Sequence, residues 1–209
     1  MSLDLSRPIV CLITTGECEV SNYPAASQRL LEIAAAAIDA KVDLIQIREK
    51  RLSAKLIFEL TQQVLRLTSG SQTKLVVNDR LDIALAAGAD GVHLTSTSVP
   101  ADIVRAHAPD GFLIGVSCHS IGEVAAATSG ADFALYGPVF ATPGKGDGVG
   151  LTNLKDVCNA AGSLPVLAIG GIDETNYREV TNAGAAGFAA IRALNDPASL
   201  ENIIKELNT

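Results

Sequence analysis

The chain has 209 residues, of which 48% are hydrophobic, 4% aromatic and 19% charged, with no tryptophan. That length suits one large α/β domain or two small ones, and the apolar fraction is too high for a disordered chain. A formal net charge of −7 without a Lys/Arg run gives nucleic acid no footprint, and no apolar stretch nears the roughly 20 residues that span a bilayer.

In chain order, short β-branched runs alternate with Ala-rich helical patterns. The predicted strands are 9–13, 43–48, 74–78, 91–94, 112–117, 133–136, 166–169 and 187–191. The first, Ile9–Ile13, lacks a signal-peptide layout, so a cytoplasmic location is expected. Leu30, Ile33, Ala34, Ala37 and Ile38 follow helical spacing after it. Leu56, Leu60, Val64 and Leu67 make a second stripe behind an N-cap at Ser53. Leu200, Ile203, Ile204 and Leu207 make the last, opened by Asp196-Pro197. Eight such units in 209 residues leave about 26 each, the compact end of a single-domain (β/α)8 TIM barrel over 1–209. Helices run into every second strand through Val42-Asp43, Ala89-Asp90, Ala131-Asp132 and Ala185-Ala186, an echo of doubled βα units. The rival, a doubly wound open sheet, usually has a glycine fingerprint after its first strand, and Thr14-Thr-Gly-Glu-Cys18 is not one. The four cysteines form no C-x-x-C pair and are expected as small buried hydrophobes rather than a metal site.

In a barrel, chemistry gathers at the C-terminal strand ends. The second strand ends Gln46-Ile-Arg-Glu-Lys50. Alternation turns Gln46 and Arg48 to one face and Ile45 and Ile47 to the other. Two cations and an amide suit a phosphate or pyrophosphate, whereas Glu49, Lys50 and Arg51 also read as a solvated charged loop. Asp79, after Asn78, could hold magnesium or cap the helix that starts near Arg80. Ser117 could hydrogen-bond a substrate ring, and His119 could act as acid or base or be structural. His93, within a strand, reads as a satisfied interior histidine. The stretch 137–150 holds five glycines and Lys145, and reads as a mobile lid with Thr142 and Lys145 as phosphate contacts. Gly170 and Gly171 after the seventh strand, with Ile191 and Arg192 after the eighth, suit a backbone phosphate cup.

Taken together, Gln46-Ile-Arg-Glu-Lys50, Asn78-Asp79, Ala89-Asp-Gly-Val-His93, Gly115-Val-Ser117, Gly137-Pro-Val-Phe140 and Ile169-Gly-Gly-Ile172 resemble the thiamine phosphate synthase family, which includes related thiazole tautomerases. The resemblance implies a transferase of thiamine biosynthesis. It joins 4-amino-2-methyl-5-hydroxymethylpyrimidine pyrophosphate to thiazole phosphate and releases pyrophosphate. It also implies that Gln46, Arg48, Lys50 and Asn78 hold the pyrimidine pyrophosphate, with Asp79 on Mg2+. Ser117 would touch the pyrimidine and Lys145 the leaving pyrophosphate. Thr142, Gly171 and backbone near Ile191 would hold the thiazole phosphate. Small phosphorylated substrates are thus the expected partners, and a homo-oligomer is among the assemblies open to the chain.

Two positions depart from the family pattern. Ser98 stands where a second acidic magnesium ligand is expected, and Arg192 where the phosphate cup usually has Ser. The first change should weaken metal binding; the second adds a phosphate contact or fills the pocket. Both leave two alternatives to the synthase. One is a thiazole phosphate tautomerase using His119, although the catalytic histidine of that activity would fall at Pro138. The other is a catalytically impaired relative that binds a thiamine precursor.

Overall fold

The structure, a computed structural model, describes residues 3–142, 144 and 146–207. Eight strands alternate with helices: β1 Ile9–Ile13, α1 Tyr23–Asp39, β2 Leu44–Ile47, α2 Ala54–Thr68, β3 Lys74–Asn78, α3 Leu81–Ala87, β4 Gly91–Leu94, α4 Ala101–His107, β5 Leu113–Cys118, α5 Ile121–Ala127, β6 Phe133–Tyr136, α6 Gly150–Ala160, β7 Val166–Ile169, α7 Tyr177–Asn182, β8 Gly187–Ala190 and α8 Pro197–Leu207. The strands pair in parallel in chain order and β8 returns to β1, closing the barrel. The open sheet is therefore excluded. No helix among the described residues is long and apolar enough to cross a membrane.

Alternation along the strands creates two cores. Outward side chains such as Ile45, Ile47, Val77 and Phe188 pack under the helices. Inward ones, including Ile9, Cys11, Ile13, Leu44, Val76, Leu113, Phe133 and Leu167, fill the barrel. Each large side chain so buried contributes on the order of 1.5–3 kcal/mol. The interior is narrow at its base. A Cβ on Gly187 would stand 2.0 Å from the Ile9 carbonyl oxygen, so only glycine admits β8 beside β1. Higher up, the same inward face becomes polar: Gln46 follows Leu44, and Asn78 follows Val76. This gradient puts an apolar floor beneath a polar mouth.

The helix stripes hold with one shift. In α2 the buried face is Ile57, Leu60, Thr61, Val64 and Thr68, while Leu67 is exposed. Thr61 sits on that face at no polar cost, because its hydroxyl donates to the Ile57 carbonyl at 2.7 Å. Ser53 caps the helix, its hydroxyl accepting the Leu56 N–H at 3.4 Å. Cys11, Cys18 and Cys118 are buried thiols and Cys158 is half-buried. Burial pushes Cys11 out of the reactive range, Cys18 and Cys118 up to about 12 and Cys158 to about 11.

The Asp echo has a structural cause. Asp43, Asp90 and Asp132 each precede an even-numbered strand and accept a backbone N–H from the strand before it. The donors are Val10, Leu75 and Ile114, at 2.8, 2.8 and 2.7 Å. Each carboxylate also meets a cation: Arg7, Lys74 and Arg105 respectively. The register sets Leu167 opposite Gly187, which puts Val166 opposite Ala186, where the carboxylate is missing. Ala186 packs against the inner core.

Candidate active site

The C-terminal strand ends enclose a cavity of about 460 Å3. Gln46, Arg48, Lys50, Asn78, Ser117, His119, Thr142, Gly170, Gly171, Ile191 and Arg192 all line it. Lys145 lies outside the described residues. Asp79 stands apart, in an adjoining cavity of about 310 Å3 that shares Lys50 and Asn78 with the first. Apolar side chains of the inner core, among them Ile13, Leu135 and Ile169, form the floor.

Arg48 is half-buried, and its N–H donates to the Thr14 hydroxyl at 2.8 Å, which fixes the chain as it leaves β2. Lys50 and Arg192 are exposed at the mouth. None of these three cations has an ion-pair partner among the described residues. Glu49, between two of them, was expected in a solvated loop and is instead 2% exposed. Its two oxygens accept the Gly16 and Cys18 N–H groups at 3.1 and 2.9 Å. It thus pins the β1–α1 loop and is not free to quench Arg48 or Lys50. Cations left unpaired beside a partly desolvated cavity favour an anionic ligand strongly.

Gln46 is buried and its amide donates to Asn78 Oδ1 at 3.0 Å, while its own oxygen has no partner. Asp79 does not cap α3. The cap position belongs to Arg80, which makes no side-chain cap bond and pairs with Asp82. Asp79 adopts the left-handed conformation at φ 61°, tolerated by Asp better than by most residues. Its N–H donates to the His93 carbonyl at 2.8 Å, and its carboxylate accepts the Ser98 hydroxyl. Among the described residues no three His, Cys, Asp or Glu side chains gather as a metal cluster. Asp79 alone still fits magnesium, a hard ion that takes one or two carboxylates and completes its shell with phosphate oxygens and water.

Across the mouth, His119 is exposed and lies 2.7 Å, through Nδ1, from the Gly137 carbonyl. A carbonyl only accepts, so Nδ1 is the donor in that bond. His93 corrects the expectation of a satisfied interior histidine. It is 1% exposed, with Nε2 2.8 Å from Ser117 Oγ and Nδ1 unpartnered. Burial, helped by the Arg48 charge, pushes its pKa down to about 3, so the ring is neutral. It was missed as a site residue. Its signal was inward parity with Ser117 on the neighbouring strand.

The phosphate-cup residues lie where the chain turns out of β7 and β8. Gly171 has φ 66°, and a Cβ there would come within 2.7 Å of the Ala141 carbonyl oxygen. The N–H groups of Gly171 and Arg192 donate to no backbone acceptor among the described residues. The expected lid is tied at both feet. Val139 and Phe140 donate to the Ile169 and Gly170 carbonyls at 2.8 and 3.0 Å, and Val149 and Gly150 return to Pro138 and Val139 at 2.8 and 2.9 Å. Buried peptide groups must be paired, and these bonds anchor both feet of the loop. Between the feet Thr142 pairs with Gly146 and lines the cavity.

Comparisons with known proteins agree with this geometry. A family model described as thiamine monophosphate synthase matches residues 11–194. A Geobacter sulfurreducens relative is 45% identical over 176 residues, covering 82% of either chain. The thiamine-phosphate synthase of Methanoculleus marisnigri is 43% identical over 167 residues, 78% of this chain and 79% of its own. Among solved structures, thiamine phosphate pyrophosphorylase from Pyrococcus furiosus superposes with a TM-score of 0.80 at 29% identity, over 96% of this chain and 97% of that one.

Proposed function

Since the chain belongs to the thiamine monophosphate synthase family, and is therefore a transferase, we propose that it couples the pyrimidine pyrophosphate to thiazole phosphate. The observation that carries this reading is the trio Arg48, Lys50 and Arg192, unpaired and gathered at one mouth of a chain whose net charge is −7. Small phosphorylated molecules are the partners such a mouth would select, and a cytoplasmic setting suits them.

In this reading the C–O bond to pyrophosphate breaks and its electron pair leaves with the diphosphate. The thiazole nitrogen lone pair then closes a C–N bond on the pyrimidine methylene. Such a reaction needs no strong protein nucleophile; it needs charge on the leaving group and shelter for the cation. Arg48, Lys50 and Asn78 would hold the diphosphate, with Lys145 from the loop. Gln46 and Ser117 would orient the pyrimidine. Thr142, the Gly170–Gly171 turn, Ile191 and Arg192 would seat the thiazole phosphate. The apolar floor keeps water from the cation. Asp79 would hold Mg2+, which supplies further positive charge to the departing diphosphate. With Ser98 in place of a second carboxylate, Asp79 would hold Mg2+ more weakly and would need the diphosphate to help retain it.

The test is incubation with both substrates and magnesium, followed by detection of thiamine phosphate and pyrophosphate. Turnover is expected, and Arg48→Ala should lower it by about 100-fold, the usual loss of one charge-stabilising donor. Calorimetry should register magnesium only when pyrophosphate is present. No product at high enzyme concentration overturns the reading. Aromatisation of the thiazole carboxylate phosphate without pyrimidine, lost in His119→Ala, would replace it with the tautomerase.

A further inference from the structure

One polar atom in the barrel mouth is left over. His93 Nδ1 is buried and has no hydrogen-bond partner among the described residues. The facing residue on β5 is Gly115, and a Cβ there would lie 2.7 Å from Nδ1 and 2.3 Å from the Phe133 ring. No side chain can therefore reach Nδ1 from that position. The opposite nitrogen, Nε2, is 2.8 Å from Ser117 Oγ, and His93 is that hydroxyl's one hydrogen-bond partner among the described residues.

A neutral imidazole carries one N–H, and its place decides which way the pair is polarised. On Nδ1 it would be a buried donor with no acceptor. On Nε2 it donates to Ser117, and the orphan is a lone pair. Buried orphan donors are rarer in folded proteins than under-satisfied acceptors, and an unsatisfied buried group costs about 1–3 kcal/mol. We propose that His93 is a positioning residue: its Nε2–H donates to Ser117 Oγ, so the Ser117 hydroxyl turns its own hydrogen into the cavity and recognises an unprotonated ring nitrogen of the substrate. The identity of that substrate rests on the synthase reading; the direction of the hydrogen bond does not.

The direction has a kinetic consequence. A donor on a ring nitrogen favours the neutral pyrimidine over the cation formed from it, because the cation's ring nitrogen is poorer in electrons. His93 therefore supports binding more than bond cleavage, and its loss falls on KM rather than kcat.

Imidazole 15N shifts of the intact, labelled protein test the tautomer. The expected result is a protonated Nε2 and a bare Nδ1; a proton on Nδ1 overturns the proposal. His93→Leu removes the donor, and His93→Gln returns an amide N–H near the Nε2 position. For the pyrimidine pyrophosphate, His93→Leu should raise both Kd and KM about tenfold with kcat within about twofold, the size of one hydrogen bond. His93→Gln should recover most of that loss. Equal weakening in the two variants, or a fall in kcat at unchanged KM, overturns the proposal. Should His93→Leu fail to fold, the shifts and His93→Gln decide: near wild-type binding supports the proposal, and tenfold weaker binding overturns it. Shifts and direct binding need no turnover, so absence of thiamine phosphate would overturn the synthase reading separately.

Discussion

A buried, neutral His93 links the fold to acidity. In an unfolded chain the ring titrates at its ordinary value of 6.5, and in the fold at about 3. Below 6.5 the unfolded chain binds a proton that the native chain refuses. The contribution is thus complete above 6.5 and is lost as pH falls toward 3, at up to about 1.36 kcal/mol per unit. Between pH 7 and pH 5 the wild type should lose roughly 2 kcal/mol more than His93→Gln in urea denaturation. Equal losses would mean that His93 takes up its proton inside the barrel. The same residue marks a limit of sequence reading. Its contact with Ser117 spans 24 positions, the Asp79–Ser98 bond 19, and the Glu49 grip on Cys18 31. Residue type and local spacing flagged Ser117 and Asp79. They could not name the partners, which only barrel closure brings near.

At the scale of elements, strands were legible because their periodicity is local. β1, β3, β4, β6 and β7 lie where the β-branched runs predict. The misses, in β2, β5 and β8, are all at strand ends, β5 running 113–118 rather than 112–117, and in β2 a side chain takes over the ladder. β2 starts after Asp43, whose carboxylate holds Val10, and stops before Arg48, whose N–H goes to Thr14. β8 stops at Ala190, one residue early, because the chain then turns into the 3-10 turn Ala193–Asn195. Close packing sets a stricter demand at the start of β8. Gly187→Ala would drive a methyl group against the Ile9 carbonyl, where the nearest atoms are all Ile9 backbone and no flexible side chain can yield. The expected loss is about 1–3 kcal/mol or more by denaturant titration. An unchanged midpoint would show that β1 can move aside.

For the whole molecule, parity and the Asp echo together build a barrel from pairs of units, braced at its base and polar at its top. The cavity needs a stiff wall, and three carboxylates tie β1 to β2, β3 to β4, and β5 to β6. The fourth pair, β7 and β8, has Ala186 in that place. Of the four strand pairs that make up the doubled units, β7 and β8 are thus the one pair without this brace. Native-state hydrogen exchange should find it: the Val166 amide should be protected about tenfold less than those of Val10, Leu75 and Ile114. Uniform protection around the ring would refute this. If the missing brace matters, β7 and β8 part before the three braced pairs do, and the phosphate cup carried on their far ends is dismantled while Arg48 and Lys50 still stand on β2, tied to β1.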